Sequence, residues 1–130
     1  MSNRYVDWFR QAEADLKHAR HALESNDFEW SCFAAHQSSE KALKAVFLKL
    51  GLDAWGHTLT ALIGNLPSEV QKPSRTLIDT ARVLDKYYIP TRYPNGFDSG
   101  APTDFYAQAE SQQAITQAEV IHEYCRDQIE

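Results

Sequence analysis

The chain has 130 residues, 43% of them hydrophobic, with two cysteines and a formal net charge of −5. That length supports one domain, residues 1–130, with one core, and no apolar run approaches the roughly 20 residues of a membrane span. The acidic balance excludes a protein that coats nucleic acid by bulk electrostatics, because such binding relies on Lys and Arg to neutralise phosphates. It leaves room for a small basic site that takes a nucleotide or a short RNA.

The opening residues, Met1 to Trp8, contain no apolar signal-peptide core, so the expected compartment is the cytoplasm. A first helix is expected from Arg4 to Glu24. Tyr5, Phe9, Ala12, Leu16, Ala19 and Leu23 recur there at alternating spacings of four and three, a helical seam. Asn26-Asp27 breaks it. A second helix follows from Phe28 to Leu50, stopped by Gly51. Its apolar residues occupy two rows: Phe28, Cys32, Ala35, Ala42 and Val46, and beside them Phe33, Leu43, Phe47 and Leu50. So wide an apolar arc marks a central helix that packs against several neighbours.

Leu52 to Gly56 reads as a connector carrying Trp55. Leu59, Leu62, Ile63 and Leu66 form a short helix that Thr58 could cap and Pro67 closes. A fourth helix is expected from Pro73 or Ser74 to Tyr88, with Leu77, Ala81, Leu84 and Tyr88 on one stripe. The last runs from Thr103 to the end, with Ala107, Ala114, Ala118, Ile121 and Cys125 on one side. No strand-like alternation, internal repeat or low-complexity tract interrupts this pattern. The fold class is therefore all-α, an antiparallel bundle of four long helices and one short one. Cys32 and Cys125 lie in helical patterns and read as small buried residues.

The exception is Tyr87–Pro102, with three prolines, two glycines, four aromatics and Arg92. It is longer than the usual bundle connection of about 2–8 residues, yet too aromatic for a disordered linker. It reads as an ordered loop that presents Arg92 and its tyrosines.

Three motifs carry candidate chemistry. Gln37, Lys41 and Lys44 share a face of the second helix, and Glu40 stands four residues before Lys44, the favourable order for an ion pair. They form either a solvated strip or an amide and two ammonium groups suited to phosphate. His57, ahead of the short helix, is a cap or packing residue, or a contact for an anion at the helix N-terminus. Arg92 either salt-bridges a carboxylate and pins the loop, or offers its planar fork to phosphate with Tyr93 or Tyr88 beside a base. The five histidines show no zinc-type spacing, and there is no glycine-rich phosphate loop, nucleophile elbow or basic recognition helix. No metal or cofactor is expected.

In order along the chain stand Trp8 with Ala14-Asp15-Leu16; Ala35, Gln37 and Glu40-Lys41-Ala42-Leu43-Lys44-Ala45; Gly56-His57-Thr58-Leu59 with Leu62; Leu84-Asp85 with Tyr88; and Thr91-Arg92-Tyr93-Pro94. A closing segment, Ala107 to Ala118, follows. The set resembles the HEPN domain (higher eukaryotes and prokaryotes nucleotide-binding). The resemblance implies a helical bundle that pairs as a homodimer. It also implies a small prokaryotic protein often made with a minimal nucleotidyltransferase partner, the pair acting in some members as a toxin–antitoxin-like module. It places Lys41, Lys44, His57 and Arg92 in the shared pattern.

HEPN ribonucleases resemble one another in carrying an arginine followed, after four to six residues, by a histidine. Here Arg92 is followed by no histidine until His122, Arg10 and His18 are too far apart, and Arg20 abuts His21. The reading is a non-catalytic binding module that uses Gln37, Lys41, Lys44, His57, Arg92 and Tyr93 for a nucleotide or a protein partner. Its alternatives are a ribonuclease toxin with an atypical site, for which His57 is the candidate base, and a purely structural interaction dimer.

Overall fold

A computed structural model describes residues 4–130. Five α-helices follow one another: α1 (Tyr5–Glu24), α2 (Phe28–Lys49), α3 (Leu59–Gly64), α4 (Arg75–Asp85) and α5 (Gln108–Ile129). Single 3-10 turns at Pro94–Gly96 and Pro102–Asp104 lie between α4 and α5. Among the described residues there is no strand, and no helix is long and apolar enough to cross a membrane.

The central helix is α2, which packs against α1, α3, α4 and α5. Its Cys32, Ala35, Ala42, Leu43 and Val46 are fully buried. The seam expected on α1 is buried at Ala12, Leu16 and Ala19, with Phe9 and Leu23 packed at its ends. On α5, Ala114, Ala118, Ile121 and Cys125 are all buried, and the small residues let the helices approach closely.

That close approach leaves little room for long side chains, so serines finish the interface. Ser31 donates to the Ala19 carbonyl at 2.8 Å and Ser38 to the Ala12 carbonyl at 2.7 Å, tying α2 to α1. The single hydroxyl proton of Ser38 is thereby spent, so Nε2–H of the buried His122 donates to the Ser38 oxygen. Ser111 on α5 donates to Ser31.

Helix ends follow local chemistry. At the end of α1, Asn26 takes φ 63°, and the amides of Asn26 and Asp27 bond back to Leu23 and Ala22. At the end of α2, Gly51 takes φ 75°, and Gly51 and Leu52 bond back to Leu48 and Phe47. Both are Schellman closures, in which a left-handed residue lets the chain satisfy the last carbonyls. Ser74 caps α4 by accepting from the Leu77 amide at 3.1 Å.

Three expectations are corrected. First, α4 ends at Asp85, not Tyr88. The residue before Pro90 is disfavoured in a helix and Pro90 has no amide to continue it. The carbonyls of Tyr87 and Tyr88 turn instead to the Thr91 hydroxyl at 2.6 Å and Arg92 Nε at 2.8 Å. Second, α5 starts at Gln108; Thr103 lies in the 3-10 turn begun by Pro102, and Ala107 is extended and exposed outside the helix. Third, the Thr58 side chain caps nothing. Asp85 caps α3 from across the fold, accepting from the amides of Leu59 at 2.6 Å and Thr60 at 3.1 Å and from the Thr60 hydroxyl at 2.8 Å.

Two groups make the fold sensitive to acid. Burial, then the charges of Arg126 and Arg20, push the His122 imidazole down to about 4 from 6.5. The unfolded chain therefore takes up this proton first, and stability falls as pH drops from about 6.5 toward about 4. For Asp85, burial opposes ionisation, but the neighbouring His36 ring and the hydrogen bonds from Leu59 and Thr60 outweigh it and hold the carboxyl below its ordinary value. Its contribution is present above the unfolded value and is lost as pH falls through the folded one. We expect urea-unfolding stability to decline steadily from pH 7 to pH 4. His122→Gln should flatten the part of the decline above pH 4; an unchanged profile would rule the histidine out as its source. Asp85→Ala should cost about 2 kcal/mol at pH 7, the scale of hydrogen bonds to a charged group, with the loss largely absent when both proteins are compared in strong acid.

Candidate functional site

Because α2 is buried on most of its circumference, only one strip of it reaches solvent between its two end turns. That strip comprises Trp30, Phe33, Gln37, Lys41, Lys44 and Leu48. Just inside it lies Glu40, whose side chain is 6% exposed. A buried carboxylate needs partners, and Glu40 has two. Lys44 Nζ donates to one oxygen at 3.1 Å, and His57 Nδ1 meets the other at 2.9 Å. The Nδ1 proton of His57 is committed to Glu40, which leaves Nε2 as the nitrogen free for a ligand. The His57 side chain is 53% exposed.

The His57 ring stacks on Tyr88, with centroids 4.7 Å apart and planes 16° apart. Tyr88 stands just past the end of α4, and the Arg92 guanidinium lies 4.6 Å from its centroid. The same guanidinium is 4.4 Å from the centre of Phe33 on α2 and 5.1 Å from that of Tyr93. Its Nε donates to the Tyr88 carbonyl at 2.8 Å. Among the described residues, no carboxylate lies within ion-pair distance of Arg92, and its terminal nitrogens have no hydrogen-bond partner. Cation–π contacts hold the arginine without neutralising it. Beneath the stack, fully buried His36 contacts the Tyr88 ring at 5.2 Å. Its Nε2 is 3.7 Å from Asp85, too long for a hydrogen bond.

The loop that carries Arg92 is ordered by its own contacts. Buried Thr91 bonds back to Tyr87, and the rings of Phe97 and Phe105 stack in parallel at 4.1 Å. Gly100 takes φ 85°, and an added Cβ there would come within 3.1 Å of Phe105.

The structure sorts the six candidate residues into two groups. Lys44, His57, Arg92 and Tyr93 are linked through Glu40, Tyr88 and Phe33. Gln37 and Lys41 instead face α1, in a groove of about 250 Å³ shared with Asp15, His18, Trp30 and Phe33. Lys41 is neutralised there by Asp15 at 2.6 Å, and Gln37 Oε1 lies 3.3 Å from His36 Nδ1. A single cleft holding all four cationic candidates is therefore not formed, and Lys41 stands apart from the other three. The salt bridge considered for Arg92 is also absent; Asp85, the acid at the end of α4, is engaged by α3. Tyr88, enclosed between His57 and Arg92, offers a base less than the half-exposed Tyr93 does.

Glu40, Phe33, His36 and Asp85 were not singled out as site residues. Asp85 carried a signal: an acid in the last turn of a helix opposes the macrodipole, which points to a partner elsewhere. Glu40 carried another, since an ionised residue on the most buried helix requires compensation. Phe33 read only as core.

The cluster supplies one uncompensated guanidinium, one half-exposed imidazole oriented by a carboxylate, and one paired ammonium group. That set suits a phosphate. No group of metal-ligating side chains occurs among the described residues. Burial pushes the Cys32 thiol up to about 12 and raises Cys125 as well, so neither is a nucleophile. A larger groove of about 520 Å³ between α1 and α5 is crossed by Arg20–Glu119 and Arg126–Glu13 pairs at 2.9 and 3.8 Å, so its arginines are already matched.

Comparison with known proteins agrees with this architecture. The HEPN domain profile matches residues 5–128. TT1696 from Thermus thermophilus superposes with a TM-score of 0.95 at 40% identity, covering 98% of this chain and 99% of that one. ST0689, described as an archaeal HEPN homologue, gives 0.83 at 33% identity with 100% of both chains covered. The HEPN domain protein tm0613 from Thermotoga maritima gives 0.75 at 35% identity over 93% of this chain and 95% of that one. The "Putative toxin MJ1304" of Methanocaldococcus jannaschii is 24% identical over 128 residues, 92% of this chain and 84% of that protein. With the profile spanning nearly the whole sequence, this chain belongs to the HEPN domain family.

Proposed function

We propose that this chain is a HEPN-type binding module that takes a nucleotide or short-RNA phosphate at Arg92 and works in a toxin–antitoxin-like pair. The observation that carries the reading is the half-buried Arg92 guanidinium, held over the rings of Phe33, Tyr88 and Tyr93 with no carboxylate to neutralise it. A desolvated cation without a counter-ion gains more from an arriving phosphate than a paired one does. Lys44 and His57 extend the positive edge, and Tyr93 supplies an exposed ring. The toxin half of the reading draws support from the name of the Methanocaldococcus jannaschii relative. A minimal nucleotidyltransferase is the protein partner. The module works as a homodimer, and exposed Trp30 and Ile89 near the stack are the apolar surface that pairing would cover.

A second reading is favoured by the Glu40–His57 pair. A buried carboxylate that orients an exposed imidazole is the arrangement of a general base. His57 Nε2 would accept the proton of an RNA 2′-hydroxyl as that oxygen attacks the adjacent phosphorus and the 5′-oxygen of the next nucleotide leaves. Arg92 would hold the phosphate oxygens. The leaving oxygen needs an acid, and His57 is the sole exposed imidazole of the described cluster. Binding without turnover is therefore the preferred reading.

Calorimetric titration with ATP, GTP and short RNAs tests the first reading. Wild type should bind at least one of them, and Arg92→Ala should weaken that binding tenfold or more, on the scale of a charge-assisted contact. No heat from any ligand would sink the phosphate-site reading. For the second, purified protein should cleave a labelled RNA and His57→Ala should abolish the products. Intact RNA with wild type, together with harmless expression in cells, returns the protein to the binding class.

A further inference from the structure

Trp55 is the most exposed large hydrophobic residue described, at 87%. It lies on the connector between α2 and α3, two residues from His57, and two residues of extended chain span at most about 7 Å. Ala54 is packed against the core and His57 is held by Glu40 and Tyr88, so the indole is carried between two fixed points. The backbone between those points is free to adjust. Gly56 takes φ 91° with open space around it. Among the described residues, no backbone amide from Asp53 to His57 makes a hydrogen bond.

We propose that Trp55 is the base-recognition residue of this site, folding over the purine of a nucleotide whose phosphate is held at Arg92. The inference rests on the phosphate-site reading and adds the class of base. The interior faces of the aromatic stack are used by one another: Phe33 and Tyr88 flank Arg92, and Tyr88 carries His57. A base must therefore find its stacking surface at an end of the stack: Tyr93, half-exposed, lies at the Arg92 end against the guanidinium that takes the phosphate, and the His57 end is where a free and larger indole stands. Stacking is tolerant of base identity but grows with ring area, so the two-ring purine is favoured over a pyrimidine. Exposed Asp53 on the same connector repels phosphate. The Trp55 end accordingly takes the base, and the Arg92 end takes the phosphate.

The test is calorimetric titration of wild type, Trp55→Ala, Trp55→Phe and Arg92→Ala with ATP, UTP, triadenylate RNA and inorganic tripolyphosphate. Loss of one stacked base corresponds to roughly 5- to 150-fold in affinity. Trp55→Ala should weaken ATP or triadenylate within that range, Trp55→Phe should retain most of the affinity, and wild type should bind ATP more tightly than UTP. Tripolyphosphate, which has no base, should bind Trp55→Ala as it binds wild type and should lose affinity for Arg92→Ala. The tighter of ATP and triadenylate identifies a free nucleotide or an RNA end as the source of the base. Equal affinity of wild type and Trp55→Ala for both purine ligands overturns the inference while leaving the Arg92 reading intact; this includes the case in which the indole docks a protein partner. Failure of wild type to bind any of the probes overturns both.

Discussion

A carboxylate buried on a central helix is costly unless every lone pair finds a donor, and Glu40 sets that requirement for this fold. Lys44 meets part of it from one turn away on the same helix. The rest has to come from elsewhere, and His57 supplies it from the connector before α3. That bond fixes the imidazole against Tyr88, and Tyr88 with Phe33 fixes the guanidinium of Arg92. The positions of His57 and Arg92 thus descend from one buried charge. Replacing Glu40 by an apolar residue would leave Lys44 without its partner and His57 without its orientation.

A second carboxylate does the same work for the backbone. Asp85 ends α4, where its charge opposes the helix dipole, and caps α3, where the free amides favour it. The exchange ties α3 to α4. α3 has only six residues and cannot stand alone, so its place is set by this cap and by the burial of Leu59, Leu62 and Ile63. The site is therefore a joint of three helices, with α2 supplying Glu40 and Phe33, the entry to α3 supplying His57, and the exit from α4 supplying Tyr88 and Arg92. Movement of any one would separate the imidazole from the guanidinium.

The bundle was legible because helical periodicity is a local signal: the seam of α1 and the wide apolar arc of α2 can be counted along the chain. Arg92 and His57 also stood out, each sitting in a segment that breaks the periodicity. The partners were not legible. Glu40 looked like half of an ordinary i, i+4 pair, and nothing nearby in sequence announces a histidine seventeen residues on. Phe33 matched the core pattern so well that its role under Arg92 was hidden. Lys41 misled for the converse reason. It shares a helix face with Lys44, but Asp15 of α1 reaches it first, and that depends on how two helices lie against each other.

The distribution of cations argues most directly for where an anion would go. Lys41 has Asp15, Lys44 has Glu40, Arg20 has Glu119 and Arg75 has Asp79. Exposed cations such as Lys17 and Lys86 keep their hydration and gain little from a counter-ion. Arg92 belongs to neither class. It is partly desolvated by aromatic rings, whose quadrupoles attract it weakly and cancel none of its charge. In a chain of net charge −5, leaving that one guanidinium unmatched while acids abound favours a ligand that arrives from outside and brings its own negative charge.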